Sequence, residues 1–312
     1  NVPLKKYSNY KIGGPASYFC EFSSRGELLD TLSEFEKIDP EGKSLPAGRQ
    51  VFVLGNGTNI LFSDAGFDGL ILKNNIKFIT REKDLITVGS GTLIDELTTF
   101  CSQNSLSGLE WAGGLPGTVG GGIRGNAGAF LGEMGDKVFR VESLSLQNLK
   151  VNVRNGSECK FDYRQSVFKN EGVDEVILSA TFKLKKGDQR KIKKETQEKI
   201  DYRIDRHPLN LPNIGSTFKN VPVKDVSPEV RSEFEKSIKQ DPFPVLPAAK
   251  LIIAAGLMGK QVGDAQFSTK HPNFIVNTGN AKAKEVLELV NLAKEEIKSK
   301  YDISLEEEIM VV

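Results

Sequence analysis

Apolar positions along this chain change their period from segment to segment, and the changes mark its elements. Ser17-Tyr-Phe-Cys-Glu-Phe22 is aromatic and strand-like, and Leu28, Leu29, Leu32 and Phe35 then recur at helical spacing behind Ser24 and Glu27, a capping-box pair. Val51-Phe-Val-Leu54 restores the strand pattern and completes a βαβ unit; its connection from Asp39 to Gln50 is long enough to read as a surface insertion. Leu70-Ile-Leu-Lys73 and Leu85-Ile-Thr-Val88 are further strands, and Thr92 with Asp95 is placed to cap a helix carrying Ile94, Leu97 and Cys101. Val138 to Leu146, Lys150 to Val153 and Glu175 to Lys183 alternate as strands, with a turn at Asn155-Gly156. Lys185 to Arg206 is densely charged with almost no apolar face, which fits a solvated linking helix better than a basic arm. A polar, proline-rich insertion spans residues 221–245, and the apolar run Ala248 to Ala255 follows it. After the strand Asn273-Phe-Ile-Val-Asn277, Asn280 is placed to cap a helix with Val286, Val290, Ala293 and Ile297 on one face. The pattern predicts three α+β regions, at residues 1–73, 74–190 and 191–312.

One stretch fits neither period. Gly108-Leu-Glu-Trp-Ala-Gly-Gly-Leu-Pro-Gly-Thr-Val-Gly-Gly-Gly-Ile-Arg-Gly-Asn-Ala-Gly128 holds too many glycines for an ordinary helix or strand, because glycine gives up the most backbone entropy in either. Two readings remain. The glycines form tight turns between strands, or they bring backbone N–H groups close to a large anionic ligand such as a dinucleotide pyrophosphate. Gly120-x-Gly122-x-x-Gly125 matches the Rossmann fingerprint in letters only, since it follows Pro116-Gly117-Thr118 rather than a strand. A second candidate cradle, Gly55-Asn56-Gly57-Thr58-Asn59, runs into extended residues from Ile60 instead of a helix, so loop N–H groups alone would hold phosphates there. Two separate cradles suit one extended dinucleotide.

Charge narrows the partners. At 312 residues the chain carries 42 basic and 41 acidic side chains, a net +1, which supplies no field for nucleic acid or an anionic membrane. Cys20, Cys101 and Cys159 match no zinc or redox spacing, so inert thiols in a reducing compartment, and no metal, are expected. No apolar run is long enough to span a bilayer and no signal-peptide core is present. A cytoplasmic, soluble protein is expected.

Three segments carry candidate chemistry. Arg164, in Phe161-Asp-Tyr-Arg-Gln-Ser-Val-Phe168, reads as the polar centre at the end of a buried strand; it either grips a carboxylate or enolate with its fork of donors or forms a structural ion pair. Ser216, in Asn213-Ile-Gly-Ser-Thr-Phe-Lys-Asn220, either donates a proton or is a turn serine bonded to its own backbone. A Ser-His-Asp triad with His207 or His271 lacks the Gly-x-Ser-x-Gly elbow. In Leu305-Glu-Glu-Glu-Ile309, strand alternation puts Glu306 and Glu308 on one face, where either is a base or is simply exposed.

Taken in order, Gly55-Asn-Gly-Thr-Asn-Ile-Leu61, Gly113-Gly-Leu-Pro-Gly-Thr-Val-Gly-Gly-Gly122 with Asn126-Ala-Gly-Ala129, Tyr163-Arg-Gln-Ser166, Gly215-Ser-Thr-Phe-Lys-Asn220 and Leu305-Glu-Glu-Glu-Ile309 resemble the UDP-N-acetylenolpyruvoylglucosamine reductases. The resemblance spans nearly the whole chain. It implies an FAD-binding fold of the vanillyl-alcohol-oxidase type, built of two α+β subdomains, with a C-terminal α+β domain closing over a UDP-sugar. NADPH would reduce FAD, and hydride would pass to the enolpyruvyl group. By motif position Ser216 matches the proton donor, Arg164 the arginine that stabilises the enolic intermediate, and Glu308 the assisting glutamate. FAD contacts are implied for Gly55, Asn56, Gly57, Thr58, Asn59, Ile60, Gly113, Pro116, Gly117, Thr118, Gly121, Gly122, Asn126, Ala127 and Gly128. Substrate contacts are implied for Lys219, Asn220 and His271. The short spacing from Arg164 to Ser216 resembles the compact branch, without an extra tyrosine-bearing loop, and a monomer is expected. Four positions depart from the common pattern: Met310 and Lys11 stand where arginine is usual, Phe130 where tyrosine is, and His207 where glutamine is. A flavin oxidase of the same fold would keep the cradles without needing Arg164, Ser216 and Glu308 together; a non-catalytic nucleotide-sugar binder would bleach no flavin.

Overall fold

Strand pairing follows the apolar runs in a computed structural model that describes residues 2–38, 51–170 and 173–312. The insertion expected at 39–50 lies outside the described residues. The chain folds into two compact units, one of Asn1–Val2, Ala16–Asn56 and Asp68–Tyr202, the other of Pro3–Pro15, Gly57–Phe67 and Arg203–Val312. Neither is a continuous stretch of sequence.

In the first unit the strands Pro15–Phe22 and Val51–Leu54 flank Phe67–Asn74, with Val51–Leu54 parallel to it and Leu54 opposite Lys73. The expected βαβ unit therefore has a third strand inserted between its two. Helix α1, Arg25–Ile38, buries Leu28, Leu32 and Phe35 in a core with Phe22, Leu70 and Leu72. At its start Ser24 Oγ accepts the Glu27 N–H, while the Glu27 carboxylate reaches back to the Ser23 N–H. An antiparallel sheet of five strands follows, in the order Val151–Asn155, Val138–Ser145, Glu175–Lys183, Leu85–Gly89, Ile79–Glu82. Helix α2, Ile94–Gln103, packs on it through Ile94, Leu97 and Cys101. Thr92 does not cap α2: its hydroxyl donates to Phe78 O, and the Glu96 carboxylate instead accepts the Leu93 N–H. The glycine stretch contains helix α3, Val119–Arg124, and the charged segment forms helix α4, Gln189–Arg206. Although its sequence shows almost no apolar face, α4 buries Ile192, Thr196 and Arg203.

The second unit carries the proline-rich insertion as a three-stranded antiparallel sheet, Val221–Pro222, Pro244–Leu246 and Lys239–Gln240, beside helix α5, Pro228–Glu233. Helix α6, Ala248–Ala254, and helix α7, Ala283–Tyr301, share its core with Tyr10, Leu61, Phe218, Phe267 and Ile275. Val286, Val290, Ala293 and Ile297 are buried, as their spacing predicts. The α7 cap is not Asn280, whose N–H donates to Asp264. Asp64, from the turn after Ile60–Leu61, accepts the N–H groups of Ala283 and Lys284 at 2.9 and 3.2 Å. A carboxylate there satisfies two of the helix's orphan donors and faces the positive end of its dipole.

Asp64→Ala should therefore lower the stability of this unit by about 1–2 kcal/mol, the usual cost of losing a side-chain cap, in urea unfolding followed by circular dichroism. An unchanged midpoint would show that water replaces the cap without loss.

Candidate active site

The two glycine loops meet in the first unit at Gly55 and Thr118. A methyl group added at Gly55 would sit 2.6 Å from Thr118 Oγ1, so the first loop can approach the second only without a side chain. Gly57 holds φ +62°, and a Cβ there would collide with the Tyr7 carbonyl. The expectation that the long glycine stretch avoids helix is corrected: Thr118 is the N-cap of α3, and its Oγ1 accepts the Gly121 N–H. The physical reason is packing. A Cβ on Gly120 would lie 2.9 Å from Ser90 Cβ, and one on Gly122 2.9 Å from Met134 Cε, so α3 sits on its neighbours at a distance only glycine permits. Of the Rossmann-like glycines, Gly120 and Gly122 thus lie inside the helix and Gly125 caps its C-terminus.

Which N–H groups remain to meet an anion? Those of Val119 and Gly120 donate to Thr92 O and Ser90 O. Among the described residues, the N–H groups of Gly57, Thr58 and Asn59 in one loop, and of Gly114 and Gly117 in the other, donate to no protein group. Gly114 and Gly117 have φ of +71° and +118°. Unengaged N–H groups beside residues of positive φ can meet an anion such as a phosphate, and each loop offers them. Gly121 is exposed, and a Cβ there would meet nothing nearer than Thr118 Oγ1 at 3.5 Å. Asn126 is fully buried and acts as a strut: its Nδ2 donates to Asp162 O and its Oδ1 accepts the Gly135 N–H.

Arg164 is not at the end of a buried strand. Asp162 and Gln165 exchange both backbone hydrogen bonds, which puts Tyr163 and Arg164 at the tip of a two-residue turn, with Arg164 at φ +56°. Its Nη2 donates to Gly128 O at 2.9 Å, and its guanidinium lies 5.2 Å from the Tyr163 ring centroid. Ser166 Oγ donates to Arg124 O at 2.7 Å. The arginine turn is thereby stitched to the end of the glycine stretch.

In the second unit Ser216 follows Gly215, whose φ is +85° and whose N–H donates to Asn213 Oδ1. The next residues lie between two partners. On one side Glu308 N–H donates to Thr217 O at 2.8 Å and Lys219 N–H to Glu306 O at 2.9 Å; on the other, Asn273 Oδ1 accepts the Phe218 N–H and its Nδ2 returns to Phe218 O. The serine segment and the C-terminal glutamates are one antiparallel pair. Lys219 Nζ lies 2.9 Å from the exposed Glu306 carboxylate, and Lys294 2.6 Å from Glu307. Among the described residues no group hydrogen-bonds the half-buried Ser216 hydroxyl. Asn220 Oδ1 accepts the Ala248 N–H. The carbonyl of Glu308 accepts from Asn59 Nδ2 at 3.0 Å, and Met310 pairs with Ile60 in a parallel bridge. The buried Asn273, which holds the serine segment, escaped the sequence reading; its signal was an amide-bearing residue just before the strand at Ile275.

His271 stacks edge-on with His207, ring centroids 5.4 Å apart, and both pack on Phe274. Burial pushes each imidazole down to about 4, and His271 leaves its buried Nδ1 without a hydrogen bond among the described residues. At neutral pH these are uncharged rings.

The paired glycine loops define the class, an FAD-binding oxidoreductase. An FAD-binding domain model matches residues 44–147, and a model of the C-terminal domain of UDP-N-acetylenolpyruvoylglucosamine reductase matches 207–312. The enzymes of that name from Caldanaerobacter subterraneus and Pseudothermotoga lettingae are 34% and 37% identical over 100% and 99% of this chain, covering 92% and 95% of their own lengths. The crystal structure of UDP-N-acetylenolpyruvylglucosamine reductase from Thermus caldophilus superposes with a TM-score of 0.77 at 31% identity, over 99% of this chain and 97% of that one. The chain belongs to the UDP-N-acetylenolpyruvoylglucosamine reductase family.

The histidine pair sets a pH dependence of stability. An imidazole held near 4 in the fold and near 6.5 when unfolded takes up its proton on unfolding, so stability is full above about pH 6.5 and falls as the pH drops towards 4. Urea midpoints measured from pH 7.5 to 4 should decline more steeply for this protein than for its His207→Gln, His271→Gln double variant. Parallel declines would remove the pair from the account.

Proposed function

We propose that this chain reduces the enolpyruvyl group of UDP-N-acetylglucosamine enolpyruvate to give UDP-N-acetylmuramate in peptidoglycan synthesis, with NADPH as reductant. The pairing of Thr217 and Lys219 with Glu306 and Glu308 carries the reading, because it sets a hydroxyl-bearing residue beside a carboxylate-bearing strand in a chain that also has the FAD loops. When bound, FAD would supply the hydride chemistry that links NADPH to the enol ether. The N–H groups of Gly114 and Gly117 in the first unit, and those of residues 57–59 in the second, would each offer donors to its phosphates.

The protein's own part is to manage charge and one proton. Arg164, held by Gly128 O, meets the substrate carboxylate, whose electron density rises as the enolic intermediate forms; a fixed guanidinium stabilises that density more than it stabilises the ground state. Ser216 then gives the proton: its O–H bond breaks as the bond from hydrogen to the α-carbon forms, and Glu308 assists beside it. That no group among the described residues hydrogen-bonds the serine hydroxyl supports that role, since such a donor is not already engaged. Lys219 and Asn220 attend the phosphates or sugar, and a neutral His271 contributes hydrogen bonding instead of charge.

The same reading carries a cytoplasmic monomer without nucleic-acid or membrane partners. The near-zero net charge supports the lack of nucleic-acid and anionic-membrane partners, and among the described residues no helix is long and apolar enough to cross a membrane.

Ser216→Ala should leave reduction of the flavin by NADPH nearly intact and slow its reoxidation by the enolpyruvyl substrate about 10²- to 10⁴-fold, the range general-acid assistance supplies. Rapid-mixing absorbance separates the two halves. Equal loss in both would remove the serine from its assigned step.

A further inference from the structure

Past Asn126 the chain makes a hairpin so tight that its tip is two residues, Phe130 and Leu131, between Gly128–Ala129 and Gly132–Glu133. Both tip residues have positive φ, +54° and +65°. Glycine and asparagine fill such positions readily; a bulky aromatic and a leucine rarely do, so the surroundings must hold this conformation. Leu131 is 72% exposed, whereas Phe130 is half-buried. Its ring stands edge-on to Tyr202, centroids 5.1 Å apart at 87°, and Lys199 Nζ lies 4.9 Å from its centroid. Both partners belong to α4, and one turn earlier on that helix Thr196 leaves room for only a hydrogen on Gly113, where a Cβ would sit 2.9 Å from Thr196 Cγ2. The hairpin's far side is equally confined, since a Cβ on Gly132 would collide with the Trp111 ring.

The hairpin ends where the arginine begins. The carbonyl of Gly128 accepts from Arg164 Nη2, and Gly128 is registered against Glu133 by the hairpin itself. The left-handed turn tip at Arg164 is thus hydrogen-bonded to Gly128, two residues before the tip at Phe130, and the position of that carbonyl follows from how the hairpin is held. We propose that Phe130, gripped by Tyr202 and Lys199, is a positioning residue that fixes the Arg164 guanidinium through the Gly128 carbonyl. This also gives a purpose to the α4 face 196-199-202, which the sequence shows only as a run of charge. The inference rests on the carboxylate role assigned to Arg164 above.

The test is a double-mutant cycle on the FAD-loaded protein. Phe130→Ala should slow reoxidation of the flavin by the enolpyruvyl substrate about 10- to 100-fold, the scale of a displacement near 1 Å, and leave reduction by NADPH unchanged within about twofold. Phe130→Tyr, which keeps the ring, should restore the rate. In an Arg164→Ala background Phe130→Ala should add nothing, because the two act through one path. Calorimetry gives a readout independent of turnover: Phe130→Ala should weaken binding of the enolpyruvyl substrate but not of UDP-N-acetylglucosamine, which has no carboxylate. Should Phe130→Ala fail to retain flavin, Lys199→Met enters the same cycle. Equal slowing of both half-reactions, or a full additional loss in the Arg164→Ala background, overturns the positioning role. Arg164→Ala with undiminished reoxidation instead overturns the assignment of Arg164 itself.

Discussion

The backbone pairing of residues 217–219 with 306–308 is the constraint from which the second unit's chemistry follows. It joins a loop to the C-terminal strand, with Asn273 bonding the opposite edge of Phe218, so that the backbones carrying Ser216 and Glu308 have fixed register. A one-residue slip would turn every side chain to the other face. Phe218 is buried in the core with Leu305 and Ile309 on the facing segment, and that apolar pattern makes the slip costly. Register, not local propensity, decides that Glu307 lies opposite Phe218, with Glu308 bonded to Thr217 and Glu306 to Lys219.

In the first unit the corresponding constraint is close approach. Gly55 against Thr118, Gly120 against Ser90 and Gly122 against Met134 let two loops and a short helix pack at distances that any side chain would forbid. The glycines therefore serve packing. Their N–H groups divide: some bind neighbouring carbonyls, and others, among the described residues, donate to no protein group.

Much of this was legible from sequence, for reasons that differ by element. The strands at Val138–Ser145 and Glu175–Lys183 and the helix at Ala283–Tyr301 have clean periods, and they form where the periods put them. Caps were less legible, because a cap can come from anywhere: α7 takes Asp64, more than two hundred residues away in sequence, although Asn280 stands nearer. The helix at Val119–Arg124 was masked by propensity, since three consecutive glycines argue against helix until the demand for close packing is known. Arg164 was visible as chemistry but not as a turn tip, because nothing in Asp162-Tyr-Arg-Gln165 announces a positive φ. The face of α4 carrying Lys199 and Tyr202 was hidden for the opposite reason: charged and aromatic residues that read as solvated grip a neighbouring ring.

The most direct test of the whole account is an anaerobic absorbance titration of the purified protein, which should show a bound flavin spectrum. NADPH should bleach it, and UDP-N-acetylglucosamine enolpyruvate should then restore the oxidised spectrum in the same cuvette. A flavin that bleaches but does not recover would mean that the fold serves another substrate, and a protein that takes up no FAD would contradict the reading of its glycine loops.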